Sequence, residues 1–168
     1  AAPGTSDTLT INATSPDTNG PTATVEDVSE VVVGQVRLTK TVAHDADCDG
    51  VEDSVGSYMP NLTTEIPPGD CAVWQIVAEN QGDAPARNVV IHDEVTAFTT
   101  YADNTLSYSL ANGTAASIAD DGTSANAAAV TGDAVTFYVG SGADSSNGLG
   151  GELLPGQFAT VRFSTKID

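Results

Sequence analysis

Apolar and polar residues alternate with a period of two along several short stretches of the chain. The clearest alternation follows Cys71, where the positions predicted to face a core are Ala72, Trp74, Ile76 and Ala78. A period of two is typical of a β-strand with one buried face. Residues 80–83 tolerate positive φ and Pro85 lacks an N–H donor, so they predict a turn. The alternation then resumes at Val89 and Ile91.

The same alternation recurs through the rest of the chain and predicts an all-β fold. The apolar positions of these further strands are Val36, Leu38 and Val42, then Leu106, Tyr108 and Leu110, then Val135, Phe137 and Val139, and finally Val161, Phe163 and Ile167. Phe98 and Tyr101 are predicted to be core residues, whereas residues 120–122 and 141–151 have the composition of loops. Because helical periodicity is nearly absent, we expect a chain of short antiparallel strands and turns.

A stretch within these strands resembles a known family. Residues 80–93 read Asn-Gln-Gly-Asp-Ala-Pro-Ala-Arg-Asn-Val-Val-Ile-His-Asp, after a Pro-Gly-Asp turn and an aromatic strand, and Leu-Pro-Gly-Gln precedes the last strand. These motifs resemble the immunoglobulin-like conserved-repeat domain of bacterial and archaeal surface proteins, from about Gly34 to Asp168, although Gln81 stands where that family more often has Thr. The resemblance implies an immunoglobulin-like β-sandwich on the cell exterior and implies no chemistry.

Residues 1–34 differ in pattern from the predicted sandwich, which we assign to residues 35–168. Leu9, Ile11 and Ala13 alternate with polar residues, and a linker containing Pro, Gly and Asn separates them from a second candidate strand. An isolated strand is unstable in water until it adds to a sheet. We therefore predict an N-terminal extension whose first strand is donated to the next subunit. The alternatives are that this segment packs on its own domain or stays disordered.

The charge of the chain excludes several partners. The 5 Lys and Arg residues are outnumbered by 23 Asp and Glu residues, which gives a formal net charge of -18. Such a field repels phosphate-rich surfaces, so we expect neither nucleic acid nor anionic membrane as a partner. No run approaches the ~18 apolar residues of a membrane span, which argues against membrane insertion. The start at Ala1, without a Met, predicts a secreted chain after signal cleavage.

An acidic loop after the first sandwich strand has the spacing of a Ca²⁺ site. Its candidate ligands are the side chains of Asp45, Asp47, Asp49 and Asp53 and the carbonyl of Val51. Gly50 occupies the sharp-turn position of a calcium loop, where the turn directs alternate carboxylates toward one ion. Gly56 stands where an EF-hand has a bidentate Glu, so the match is partial and predicts weak, structural Ca²⁺ binding. The alternative is a solvated acidic loop.

The two cysteines, Cys48 and Cys71, are predicted to form a disulfide. An even number of cysteines agrees with an oxidising compartment, and Cys48 lies in a polar loop where a free thiol gains no apolar packing. The alternative is a pair of buried free thiols. A bond between the two cysteines would anchor the acidic loop to the start of the strand that carries Trp74.

No catalytic site is predicted. His44 and His92 are the only histidines, and no Ser has the strand-to-helix context of an exposed nucleophile. His92 is expected to face solvent. Lys40 on the first sandwich strand could form an isopeptide crosslink with Asn88 or Asp93, which would lower the intact mass by one ammonia or one water. The alternative is a solvent-exposed Lys.

Two functions agree with these features. The first is an extracellular structural subunit that assembles with identical copies into a surface fibre by donor-strand exchange and is stabilised by Ca²⁺. The second is an adhesive or spacer module of a larger cell-surface protein. A carbohydrate binder should expose aromatic rings, but the single Trp74 and Tyr101 are predicted to be buried. The organism, any small-molecule ligand, and any glycan on the sequons at Asn12, Asn61 and Asn112 are left open.

Overall fold

The computed structural model describes residues 4–120 and 128–168, and it divides into two compact units. The first unit is Ala1–Val33 and the second is Gly34–Asp168. Residues 121 and 122, which belong to a predicted loop, lie outside the described residues. In the ranges that are described, no helix has the length and apolar character needed to cross a lipid bilayer.

The first unit is a two-stranded antiparallel ribbon formed by β1 (Ser6–Thr14) and β2 (Thr22–Glu30). The register is continuous along both strands, with Ile11 opposite Val25. The polar, Pro- and Gly-containing residues between the strands form the connecting turn, as their turn chemistry requires. The predicted strand around Ile11 is therefore present, and its partner in this structure is β2.

The described residues of the second unit form ten strands of two to ten residues, and the longer ones are rich in β-branched residues. They are β3 (Val36–Asp45), β4 (Cys71–Asn80), β5 (Ala86–Glu94), β6 (Thr99–Tyr101), β7 (Ser107–Leu110), β8 (Ala116–Ser117), β9 (Ala128–Thr131), β10 (Ala134–Tyr138), β11 (Gly151–Leu153) and β12 (Phe158–Ile167). The one helical element of the described residues is a 3₁₀ turn at Ser145–Asn147. The prediction of an all-β chain is confirmed.

These strands form two antiparallel sheets with the hydrophobic core between them. The first sheet has the order β3-β4-β12-β7-β8, with β6 also paired to β12, and the second contains β11, β5, β10 and β9. Core side chains come from both sheets, including Ile76 and Phe163 of the first and Ile91 and Phe137 of the second. The rings of Phe137 and Phe163 lie 6.3 Å apart, centroid to centroid. This arrangement is the predicted antiparallel β-sandwich.

The outer face of the first sheet is also covered near one end, which the alternation did not predict. Val73 and Ala43 are opposite each other on that face, and both are fully buried. The cover comes from the segment that follows β3, since Glu52 lies 3.6 Å from the Arg162 guanidinium and Tyr58 stacks under the same group at 5.0 Å. Burial on both faces therefore reflects a loop that folds over the sheet.

Of the three aromatic residues predicted to lie in the core, Phe98 lies outside it, and Trp74 and Tyr101 pack at its margin. Phe98 is 86% exposed and has a φ of 65°, because it lies in the turn between β5 and β6 and not on a strand. The prediction that Phe98 is a core residue is wrong. Trp74 is half-buried at the margin of the core, where its indole N–H donates to the Thr165 hydroxyl at 3.0 Å. Tyr101 likewise packs against the core from its margin.

Candidate functional site

The acidic loop brings three of its predicted metal ligands together. One carboxylate oxygen from each of Asp45, Asp47 and Asp49 lies within 4.8 Å of the others. Asp45 is fully buried and the other two are exposed. The loop turns at Gly50, whose φ is 88° and whose position leaves no room for a side chain, since an added Cβ would lie 2.8 Å from the Thr105 carbonyl oxygen.

Asp45 organises this loop through its own hydrogen bonds. Its Oδ1 accepts from the Asp49 N–H at 3.1 Å, and its Oδ2 accepts from the Gly50 N–H at 3.0 Å and from the Ser164 hydroxyl at 2.7 Å. An ionised carboxylate has about four acceptor positions, and these donors use three of them. Asp45 therefore leaves little capacity for a cation, and most of the free ligand capacity belongs to Asp47 and Asp49.

The other two predicted ligands have different surroundings. Asp53 accepts from the Ala46 N–H at 3.1 and 3.2 Å and lies 3.0 Å from Nδ1 of His44. The second ring nitrogen of His44, Nε2, lies 2.9 Å from Asp70, so the ring lies between two carboxylates. Val51 is in the same loop, where its N–H donates to Asp49 at 2.8 Å. The structure thus turns Asp53 toward His44 and away from the cluster.

The predicted disulfide between Cys48 and Cys71 is present, with a separation of 23 residues along the chain. Cys48 lies in the acidic loop and has a φ of 59°, whereas Cys71 is fully buried as the first residue of β4. The bond joins the loop to the strand that carries Trp74. The loop is consequently held at both ends, by β3 and by the disulfide.

A second candidate feature is the difference in polarity between the two faces of the ribbon. Opposed residues in an antiparallel pair share a face, so the register assigns every side chain to one side or the other. The first face carries Leu9, Ile11, Ala13, Ala23 and Val25, flanked by Asp7 and Asp27. The opposite face carries Thr8, Thr10, Asn12, Thr24 and Glu26, together with Val28, which lies opposite Thr8 and is 61% exposed. Leu9, Ile11 and Val25 are 58%, 54% and 62% exposed, so the apolar face is uncovered.

A third feature is the open edge of β3. Val42 exchanges two backbone hydrogen bonds with Met59, on the side of β3 that faces away from β4. Because backbone direction alternates along a strand, Val36, Leu38 and Lys40 point their N–H and C=O groups to that same side. In residues 4–120 and 128–168, no backbone hydrogen bond is made by these groups. Five residues of β3 therefore present an unpaired edge.

The core-facing side of this edge is uncovered as well. Leu38 shares its face with the buried Val42 and lies opposite the buried Ala78, yet Leu38 is 55% exposed. Val36 and Leu38 form one wall of a groove of about 420 Å³, and residues 85–91 form the other. The alternation of apolar residues predicted the strand here but not the groove. The sequence does contain one indication of this groove, because the alternation places the charged Lys40 on the inward face of an edge strand.

Lys40, the next inward-facing residue of β3 after Leu38, forms an ion pair with the other sheet. Its Nζ lies 2.5 Å from Asp93 Oδ2 and 4.4 Å from the centroid of the Trp74 ring. Asp93 is on β5, so the ion pair joins the two sheets. Of the two partners considered for Lys40, the structure places Asp93 against it, whereas Asn88 Oδ1 accepts from the Gly150 N–H at 2.8 Å. His92 is exposed, as predicted, beside the Thr136 hydroxyl.

Comparison of the chain with protein-family models, with curated proteins and with solved structures finds no match.

Proposed function

We propose that this protein is an extracellular structural subunit that assembles with identical copies through its N-terminal ribbon. The observation that carries the proposal is the uncovered apolar face of the ribbon, formed around Leu9, Ile11 and Val25. A two-stranded hairpin without further packing is marginally stable in water. A ribbon of two nine-residue strands with one apolar face is therefore expected to bind another surface.

Burial of this apolar face would contribute enough free energy to drive association. Each of the three large side chains is more than half exposed, so burying it would contribute on the order of 1–2 kcal/mol. The ribbon and its acceptor are different surfaces of the same chain. Such a contact is heterologous, and it propagates into a filament unless the rotation between subunits closes a ring.

Two properties support a location outside the cell. A disulfide fits an oxidising compartment, and the Cys48–Cys71 bond is part of the fold. The net charge of -18 keeps subunits soluble before they assemble. The resemblance to the immunoglobulin-like repeat of surface proteins, which rests on the motifs quoted above, points in the same direction.

Calcium is the proposed stabiliser of the subunit. Asp47 and Asp49 offer exposed oxygen ligands next to the buried Asp45, and Ca²⁺ prefers such ligands. The ion would reduce the repulsion among three clustered carboxylates. Its proposed role is structural, because the loop covers the outer face of the first sheet.

The test compares two substitutions that add the same charge to opposite faces of the ribbon. Ile11→Asp alters the apolar face and should abolish concentration-dependent assembly, as measured by sedimentation velocity and negative-stain microscopy. Thr10→Asp alters the polar face and should assemble like the parent chain. A parent chain that stays monomeric at all concentrations would favour the adhesive or spacer module instead.

A further inference from the structure

We infer that the acceptor of the ribbon is the open edge of β3 in a second copy of the chain. This inference rests on the proposed function and names the surface that it requires. Strand addition to a sheet edge uses the main chain for affinity and alternate side chains for specificity. β3 offers both elements, since Val36, Leu38 and Lys40 have unpaired backbone groups and the apolar side chains of Val36, Leu38, Val89 and Ile91 contribute to the wall of the groove beside them.

The groove has the character of a position from which a strand is missing. Leu38 occupies a core-facing position but is 55% exposed, although the same face is buried two pairs further along at Val42. An added strand would cover Val36 and Leu38 and complete the row of core side chains between β3 and β5. At the end near Gly34 the groove is closed, because the backbone there approaches Ala86 too closely for a side chain to fit.

Charge favours the ribbon of another copy as the occupant. The first unit carries five acidic residues, Asp7, Asp17, Glu26, Asp27 and Glu30, and no Lys or Arg. Three of the five cationic residues of the whole chain, Arg37, Lys40 and Arg87, lie on the two strands that form the groove. Lys40 and Arg87 pair with Asp93 and Glu152, and the acidic residues Asp45, Asp93 and Glu94 make the two strands neutral as a pair. In a chain of net charge -18, a neutral surface is one that the acidic ribbon approaches with little repulsion.

Backbone geometry also determines the direction of the added strand. The Ser15 N–H donates to the Pro21 carbonyl and the Val31 N–H donates to the Thr5 carbonyl, so the odd-numbered residues of β1 direct their backbone groups toward β2. Thr8, Thr10 and Asn12 therefore present the free edge of β1. Antiparallel addition would oppose these residues to Leu38 and turn the apolar face outward, whereas parallel addition opposes Leu9 or Ile11 to Leu38. The ribbon is accordingly added parallel to β3, with its apolar face over the core.

The experiment uses full-length chains in which either the donor or the acceptor is blocked. Ile11→Asp blocks the ribbon, and Leu38→Asp places a charge in the groove. Thr39→Asp, on the outer face of the same strand, is the matched control for the second change. Each blocking variant alone should sediment as a monomer of 17.0 kDa, with the dissociation constant for self-association raised by about 30-fold or more. Thr39→Asp should assemble like the parent.

Mixing the two blocked variants provides the decisive readout. The Ile11→Asp chain keeps a free groove and the Leu38→Asp chain keeps an intact ribbon, so an equimolar mixture should form a 1:1 heterodimer that grows no further. The heterodimer also shows that both variants are folded. Normal assembly by Leu38→Asp, together with failure by Ile11→Asp, would overturn the groove assignment and leave the proposed function standing. If the parent chain is monomeric and both substitutions destabilise it, the ribbon binds the groove of its own chain. That result would overturn the assignment to a second copy.

Discussion

Asp45 shows how one residue determines the structure of the acidic loop. It is fully buried, and its carboxylate accepts three hydrogen bonds that hold the turn at Gly50 and join the loop to Ser164. Hydrogen bonds to a charged group contribute more than neutral ones, and removing the acceptor leaves buried donors unsatisfied. Asp45 is therefore primarily a structural residue, whether or not an ion is bound nearby.

We predict that Asp45→Ala lowers the free energy of unfolding by about 3 kcal/mol in the presence of a chelator. The measurement is urea denaturation with excess chelator, so that metal binding plays no part. An effect below about 0.5 kcal/mol, typical of surface substitutions, would contradict the organising role of Asp45.

Asp47 tests the metal separately, because its side chain is exposed and its loss should have little effect on the metal-free fold. Ca²⁺ should raise the melting temperature of the parent, because an ion that binds only the folded state stabilises it by mass action. At a free Ca²⁺ concentration ten times the dissociation constant, the free energy of unfolding should rise by about 1.4 kcal/mol. Asp47→Asn should remove most of this gain, whereas Asp17→Asn, with the same charge change in the ribbon turn, should retain it. A parent melting curve that does not respond to chelator would contradict the calcium proposal.

Three tyrosines should make the free energy of unfolding decrease at alkaline pH. Burial raises the pKa of Tyr58, Tyr101 and Tyr108 above the ordinary value of about 10. Because the folded-state pKa is the higher one, the stabilising contribution is fully present below about pH 10 and is lost as the pH rises above it. The urea midpoint should fall between about pH 10 and 11, and Tyr101→Phe should make the fall shallower. A midpoint that is constant over this interval would show that these rings ionise equally in both states.

At the scale of the elements, the acidic loop is connected to the sandwich by both covalent and noncovalent links. The Cys48–Cys71 bond fastens the loop to β4, and the Arg162 contacts with Glu52 and Tyr58 hold the following residues against the outer face of the sheet. The loop is part of the fold and buries Val73 on a face that would otherwise be exposed.

We predict that replacing both cysteines, by Cys48→Ser with Cys71→Ala, lowers the free energy of unfolding by about 3 kcal/mol. The estimate follows from the loop that the bond closes, which spans 23 residues. Urea denaturation of the parent under non-reducing and reducing conditions provides the comparison, and the double variant should match the reduced parent. Equal midpoints for the two forms of the parent would contradict the stabilising role of the bond.

The strands could be predicted from sequence because their alternation reflects burial on one face. This reasoning located β4, β5, β10 and β12, whose core positions include Ile76, Ile91, Phe137 and Phe163. It failed where burial depends on a neighbour distant in sequence. Phe98 is apolar but lies in a turn, and Val73 is buried by a loop that no local pattern indicates.

The candidate sites show the same division between local and tertiary information. The spacing of Asp45, Asp47 and Asp49 was sufficient to predict their convergence, since one turn at Gly50 brings them together. The pairing of Asp53 with His44 depends on side-chain positions that spacing does not specify. The groove beside Leu38 was not predictable either, because alternation marks a face as apolar without showing what covers it.

At the scale of the whole molecule, the proposed donor and the proposed acceptor belong to two different compact units. The first unit presents an uncovered apolar ribbon face, and the second has an open edge and a hydrophobic core formed by its own strands. A chain that has both surfaces can extend an assembly at both ends. A chain that has the acceptor alone can bind one subunit and then ends the assembly.

This difference provides the most direct test of ribbon-driven assembly. The weight-average mass of the full chain is measured by light scattering after size-exclusion chromatography, while the chain 34–168 is added in increasing proportion. If the ribbon drives assembly, the full chain alone should form assemblies larger than 17.0 kDa, and their mass should decrease steadily as the ribbon-less chain caps them. A full chain that remains at 17.0 kDa, or assemblies whose mass does not change when chain 34–168 is added, would contradict it.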